Sequence, residues 1–297
     1  EYYPIENKSA SIERIFMIND KVPFSEARAL ALSKQWTYKY ATDDNGLAAM
    51  VFAPSSVKAT VADGVQVEVK EETFYPFDET IKMTLNFPDK KVKEAFFPLK
   101  FRIPGWCEAP IVKVNDEVVD QTMTPGCMVA LRRTWKKGDV VTIELPMEVK
   151  RSNWYDNSVA IERGPLLYAL KLEEKWERKE VEPESVVSCG TYFYEVTTPS
   201  KWNYCLTRAS LKKENFPASF ELVRRETDRT KYPWNLENAP LVLKVKAREL
   251  KDWAEFRGSA CEIPFFTQQG SDVGEEEVIE LIPYGCTTLR ISQFPVR

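Results

Sequence analysis

From residue 36 onward the chain is written with a period of two. Val65-Gln66-Val67-Glu68-Val69-Lys70 alternates apolar and polar residues without a break, as does Ile81-Lys82-Met83-Thr84-Leu85-Asn86-Phe87, and 97–103 follows less cleanly. Such alternation sets one face of a strand on a core and the other in water, whereas like residues on a helix recur every three or four positions. Turn-forming residues punctuate it at Asp63-Gly64, Pro88-Asp89, Pro104-Gly105, Asn115-Asp116, Pro125-Gly126 and Lys137-Gly138-Asp139. Further strands are predicted over 37–40, 47–52, 111–114, 128–132 and 140–145. No helical segment of crossover length lies between them. The expected class is therefore all-β, with two consecutive antiparallel β-sandwich or jelly-roll-like domains, and βαβ units are excluded.

The longest mainly apolar run, 157–172, sits near the middle and is broken by Gly164-Pro165 into two β-like pieces. It reads as a joint buried on both sides, closing the first sandwich and launching the second, with Arg163 beside Gly164 and Pro165 fixing the turn. Strands resume over 192–197, 202–207, 220–224, 241–247, 277–282 and 288–292, while the charged stretch 173–184 and the segments 231–240 and 258–274 read as loops. One helix is expected, over 24–34, with Ser25 as N-cap and Pro23 ahead of it. The resulting division is an N-terminal helical or linker segment over 1–35, a first sandwich over 36–155 and a second over 156–297.

Composition narrows the chemistry. None of the 297 residues is a histidine, which removes Ser-His-Asp and Cys-His catalysis and imidazole metal sites. The six cysteines, Cys107, Cys127, Cys189, Cys205, Cys261 and Cys286, are dispersed without a C-x-x-C pair and read as buried thiols, with disulfides left open. A net charge of -4 makes nucleic acid an unexpected partner. No window reaches the about 18 uninterrupted apolar residues of a membrane span. The compartment stays open, a periplasmic or secreted setting being favoured over the cytoplasm.

Several ordered motifs carry a resemblance. GLAAMVFAPSSV at 46–57, LKFRIPGW at 99–106, WKKGD at 135–139, LPM at 145–147 and VAIERGPLLYAL at 159–170 resemble the C-terminal β-sandwich region of the glycoside hydrolase family 127 proteins, the β-L-arabinofuranosidase-like group. WNY at 202–204, AP at 239–240, KAR at 246–248 and LIPYGCT at 281–287 are similar to the terminal domain of the same proteins. The resemblance implies a parent enzyme with an α/α helical barrel, in which a zinc held by cysteines and a glutamate serves a cysteine nucleophile. This chain cannot supply such a barrel, and its scattered cysteines do not match a clustered thiolate site. No catalytic residue, metal ligand or cofactor is therefore assigned here, and zinc is expected only with the barrel.

Carboxylate pairs are the remaining catalytic apparatus, since glycoside hydrolysis commonly uses two acids about 5–10 Å apart. Nothing in the spacing selects a pair; Glu275-Glu276-Glu277 and Glu173-Glu174 read as solvated surface. Glu162-Arg163 could touch substrate, although hydrogen bonds or an ion pair from Arg163 that hold the turn are favoured. Trp202, Tyr204, Trp234 and Trp253 are the candidate carbohydrate contacts, because sugar rings stack on aromatic faces; the opposing reading is that large aromatics are packing. The favoured function is a non-catalytic accessory β region of a glycoside hydrolase acting on arabinofuranoside-type plant glycans, partnered by a helical-barrel catalytic domain. The alternative is an independent carbohydrate-binding or adhesive β-sandwich whose partner is an oligosaccharide.

Overall fold

The computed structural model describes residues 14–17, 39–41, 44–181, 191–214, 216–228, 231–264 and 273–297. The helix expected over 24–34 lies outside them. Strands dominate, and the longest helical segment among the described residues is the single turn Arg208–Leu211, capped by the Thr207 side chain. The chain divides into a unit of Ser25–Met147 and a unit of Glu148–Arg297 together with Glu1–Phe24.

The first unit is a two-sheet sandwich. A six-stranded sheet runs in the order Ser55–Val61, Val65–Thr73, Thr80–Asn86, Val140–Glu144, Ile111–Val114, Glu117–Val118. A four-stranded sheet runs Met128–Lys136, Glu94–Arg102, Leu47–Ala49, Lys39–Ala41, antiparallel except where Leu47–Ala49 lies parallel to Glu94–Arg102. The alternating positions meet in one core, with Val67, Val69, Ile81, Met83 and Leu85 from one sheet and Phe97, Leu99, Phe101 and Trp135 from the other. Buried Trp135 satisfies its indole N–H on the carbonyl of Phe97 at 2.9 Å, so the largest core side chain leaves no polar atom stranded. The predicted turn at 137–139 is cross-braced: Asp139 accepts from the amide of Lys136 at 2.8 Å and from Asn115 Nδ2 at 2.9 Å.

The second unit is built on an eight-stranded sheet. Its path is Val149–Trp154, Ser158–Arg163, Leu166–Leu170, Val273–Pro283, Leu241–Leu250, Tyr204–Leu206, with Glu221–Arg224 on Leu241–Leu250 and Phe294–Pro295 on Ser158–Arg163. The central apolar run is thus a hairpin inside this unit rather than a joint between two. Val149–Trp154 pairs with Ser158–Arg163 along its whole length, so the boundary expected at 155 falls in a hairpin loop and the units part at 147. Gly164 at φ +57 and Pro165 form the two-residue turn between Arg163 and Leu166. A positive φ first, then a ring-fixed negative φ, is the type II′ pattern that matches strand twist. Ala160, Ile161, Arg163, Leu166, Tyr168, Ala169 and Leu170 are all buried, which explains a run apolar on both faces.

The stretch 173–184, expected as a loop, contains the strand Lys175–Glu180, which pairs with Tyr192–Thr197; that strand in turn pairs with Arg14–Met17. Lys175–Glu180 is mostly exposed, so it has no apolar face for a period-two reading to detect. Cross-strand contacts hold it instead. Trp176 meets Tyr194 edge to face at 5.8 Å, the Arg178 guanidinium lies 4.0 Å over the Tyr192 ring, and Lys179 pairs with Glu195. Glu174 ties the hairpin down: one carboxylate oxygen accepts from Thr287 Oγ1 at 2.9 Å, Thr288 N at 2.5 Å and Leu289 N at 3.3 Å, and the other from Trp176 Nε1 at 3.2 Å. The strand expected over 288–292 is absent, its place taken by this loop and the short strand Phe294–Pro295.

Glu174→Gln is expected to destabilise the second unit by about 1.5–3 kcal/mol, read as a lower urea midpoint, because charge-assisted bonds to two amides become neutral or are lost; an unchanged midpoint would show that the carboxylate holds nothing together. Tyr168 is fully buried and its hydroxyl has no hydrogen-bond partner among the described residues, so Tyr168→Phe is expected to raise the melting temperature by removing a polar group buried without compensation. Burial pushes the Tyr168 phenol far above the ordinary tyrosine range and that of Tyr204 up to about 12. Unfolded tyrosines lose their protons near pH ~10 while these keep theirs, so stability present below that pH falls as pH rises from about 10 to 12. Urea midpoints should drop as pH rises from about 10 towards 12, less steeply in Tyr168→Phe; equal slopes would contradict the burial.

Candidate functional site

A cleft of about 470 Å³ opens on the second unit, assembled from four separate parts of the chain. The segment leaving Leu166–Leu170 supplies Leu170, Lys171, Leu172 and Glu173, and Val273–Pro283 supplies Val278, Ile279 and Glu280; Ser200, Lys201 and Tyr204 come from the entry to Tyr204–Leu206, and Leu236 from the segment before Leu241–Leu250. Strand pairing fixes the first two parts, because the Lys171 amide donates to the Glu280 carbonyl at 2.9 Å. The Glu173 amide donates to Ser200 Oγ at 3.2 Å and brings in the third.

Ion pairs organise its polar wall. Lys171 Nζ lies 2.6 Å from Glu280 Oε2, and this hydrogen bond holds the Glu280 carboxyl below its ordinary range against partial burial. Lys201 Nζ reaches Glu249 at 3.2 Å and Glu277 at 3.4 Å; the hydrogen bond it donates to Glu249 leads in raising its pKa. Lys171 thus pairs with Glu280, while Lys201 sits between two carboxylates. Tyr204 is buried, and burial, followed by the nearby Glu277 carboxylate, keeps its phenol protonated. Leu170, Leu172 and Ile279 are buried, and they alternate with Lys171 and Glu280 along their strands, so their side chains face the other side of the sheet. The cleft therefore offers fixed donors and acceptors on one face of the sheet, with the exposed side chain of Val278 beside them.

The four aromatics singled out from the sequence fall in different settings. Trp253 and Tyr204 are buried, whereas Trp202 and Trp234 are half-buried. Trp202 packs edge to face on Trp253 with ring centroids 5.1 Å apart, and Trp253 donates its indole N–H to the Cys261 carbonyl at 2.8 Å. Trp234 lies over Gly285 so closely that a β-carbon there would sit 2.7 Å from its ring, which requires glycine at that position. Only Tyr204 of the four lines the cleft. The strongly exposed aromatics are others, among them Trp154 at 49%, Tyr155 at 75% and Trp176 at 48%. No sequence signal separates these from packing residues, because burial is decided by tertiary contacts. Arg163, Gly164 and Pro165 lie at the hairpin turn, with Arg163 2% exposed. Its neighbour Glu162 is half-buried and accepts a hydrogen bond from Ser152 Oγ at 2.6 Å.

Cys107, Cys205 and Cys286 are buried, Cys261 is half-buried and Cys127 exposed; Cys189 lies outside the described residues. Burial pushes the Cys205 thiol up, the opposite of what a thiolate nucleophile requires. Among the described residues no group of three or more His, Cys, Asp or Glu side chains could hold a metal ion. No helix among them is long and apolar enough to cross a membrane.

Residues 46–147 match the family model described as beta-L-arabinofuranosidase, GH127 middle domain. Among solved structures, the GH127 beta-L-arabinofuranosidase of Geobacillus stearothermophilus T6 is similar at 23% identity and TM-score 0.59, over 92% of this chain and 37% of that one. A protein described as a glycoside hydrolase is similar at 20% identity and TM-score 0.60, over 94% of this chain and 43% of the other. A further GH127 beta-arabinofuranosidase is 17% identical with TM-score 0.55, over 86% of this chain and 36% of its own length. A comparison with curated proteins finds no match. The chain thus spans about two fifths of the length of the solved proteins it matches. Residues 46–147 are therefore similar to the GH127 middle domain, and the chain that carries them shares its fold with solved GH127 proteins over most of its length.

Proposed function

We propose that this chain is the accessory, non-catalytic β region of a glycoside hydrolase acting on arabinofuranosides, which scaffolds a catalytic helical barrel carried elsewhere in the parent protein. The observation that carries the reading is the match of 46–147 to a middle domain, which by its nature belongs with flanking domains. The chemistry of the chain is in keeping with it. The lysines of the cleft sit with carboxylates, its tyrosine is held protonated by burial, and the Cys205 thiol is pushed away from thiolate. Any zinc in the parent would be held by that barrel. The alternative of an independent binding module rests on Trp202, Tyr204, Trp234 and Trp253, of which two are buried and two half-buried, so the accessory reading is preferred.

The test is hydrolysis of an aryl β-L-arabinofuranoside by the 297-residue chain alone, followed by release of the chromogenic alcohol. The expected rate is that of the buffer. Turnover above it that survives repurification, and that disappears with substitution of a carboxylate in this chain, would overturn the proposal.

A further inference from the structure

We infer that the outer face of the four-stranded sheet, from Phe96 to Met128, is a docking surface for an acidic and apolar face of another protein domain tethered in the same parent. The two sheets of the first unit present unlike outer faces. On the six-stranded sheet the positions between core residues are polar, as at Lys58, Thr60, Gln66, Lys82 and Thr84, and charges there pair as Lys58–Glu68, Lys70–Glu72 and Lys113–Glu144. On the four-stranded sheet the register sets Phe96 beside Thr134, Pro98 beside Arg132, Lys100 beside Ala130 and Arg102 beside Met128. The intervening Phe97, Leu99 and Phe101 belong to the core, so these pairs face away from it. Phe96 is 61% exposed and Met128 44%; Met50, 42% exposed, follows Ala49, the partner of Phe101.

Reach and charge select the occupant. The rows of Phe96 and Met128 stand about 20 Å apart along the strands, a span that fits a protein–protein patch of about 800 Å² per partner rather than a small molecule. Lys100, Arg102, Arg132 and Lys136 meet only Glu94 and Asp44 here among the described residues, Asp44 being shared by Lys100 at 2.9 Å and Arg132 at 3.1 Å. The excess is positive in a chain whose net charge is -4. Two such faces repel, which disfavours a second copy, whereas an acidic partner gains encounter rate and orientation from the cations. Methionine, phenylalanine and arginine are the types enriched where proteins meet. The chain spans about two fifths of the solved proteins it matches, and a domain tethered to it reaches the face at high effective concentration. Naming that domain as the occupant rests on the accessory reading, while the surface is read from this chain alone.

The test is hydroxyl-radical footprinting of the isolated chain and of the full-length parent, read by mass spectrometry at Met50, Phe96 and Met128. In the parent, oxidation of all three is expected to fall to about a fifth or less, because the core of an interface excludes solvent. Val118, 66% exposed on the terminal strand of the six-stranded sheet, should be oxidised equally in both. Arg102→Glu in the parent should restore at least about half of the lost oxidation, since a reversed charge then faces acidic groups, and Arg102→Lys should not. Arg102 is exposed, so both variants keep the core intact. Equal oxidation in parent and chain, protection indifferent to Arg102→Glu, or protection of the isolated chain that grows with its own concentration or with added polygalacturonate would overturn the proposal. The two assays fail separately: turnover by the chain alone removes the accessory reading, whereas unchanged oxidation beside a null hydrolysis result removes only the docking face.

Discussion

Burial of the hairpin Ser158–Arg163 and Leu166–Leu170 on both faces is the constraint on which the second unit depends. A strand covered on both sides must satisfy its amides and carbonyls within the sheet, because no water reaches them. One neighbour is Val149–Trp154 and the other Val273–Pro283, so a segment from the start of the unit and one from its end must both be in register before the hairpin is satisfied. The turn has to be short and of the right hand for this to work, which is why Gly164 carries a positive φ there. The cleft inherits its geometry from the same pairing, since Lys171 follows directly on Leu170 and Glu280 directly precedes Leu281, the partner of Leu170.

Much of this was legible in the chain. The alternation at 65–70 and 81–87 gave strands that the structure contains, and the turns at 63–64 and 137–139 sit where glycine and aspartate put them. The central run was readable as buried, and Leu166 and Tyr168 are buried. Its role was less so: period and composition cannot say which sheet a buried strand joins, and Val149–Trp154, the strand that assigns it to the second unit, is polar and exposed enough to look like an ending. Lys175–Glu180 escaped for a related reason, as an exposed strand held by cross-strand ion pairs and rings resembles a charged loop.

The site was nearly invisible to sequence reasoning. Its residues come from 170–173, 200–204, 236 and 278–280, and no local spacing links Lys201 to Glu249 or Lys171 to Glu280. Tyr204 was found through the chemistry of sugar stacking, yet the structure uses it as a buried phenol beside a carboxylate. Motif resemblance worked better than residue chemistry here. It drew on the order of whole strands and turns, which the fold preserves, whereas a binding residue is defined by neighbours distant in sequence.

We propose that this chain contributes architecture to a reaction whose chemistry lies in other domains of its parent. Complementation measures this most directly: the chain and the separately expressed remainder of the parent are mixed, the complex is isolated by size exclusion, and arabinofuranosidase activity is assayed in the complex and in each piece. The expected result is a stoichiometric complex with activity that the remainder alone lacks or holds only weakly and unstably. Full, stable activity in the remainder without this chain, or activity in this chain without the remainder, would contradict it.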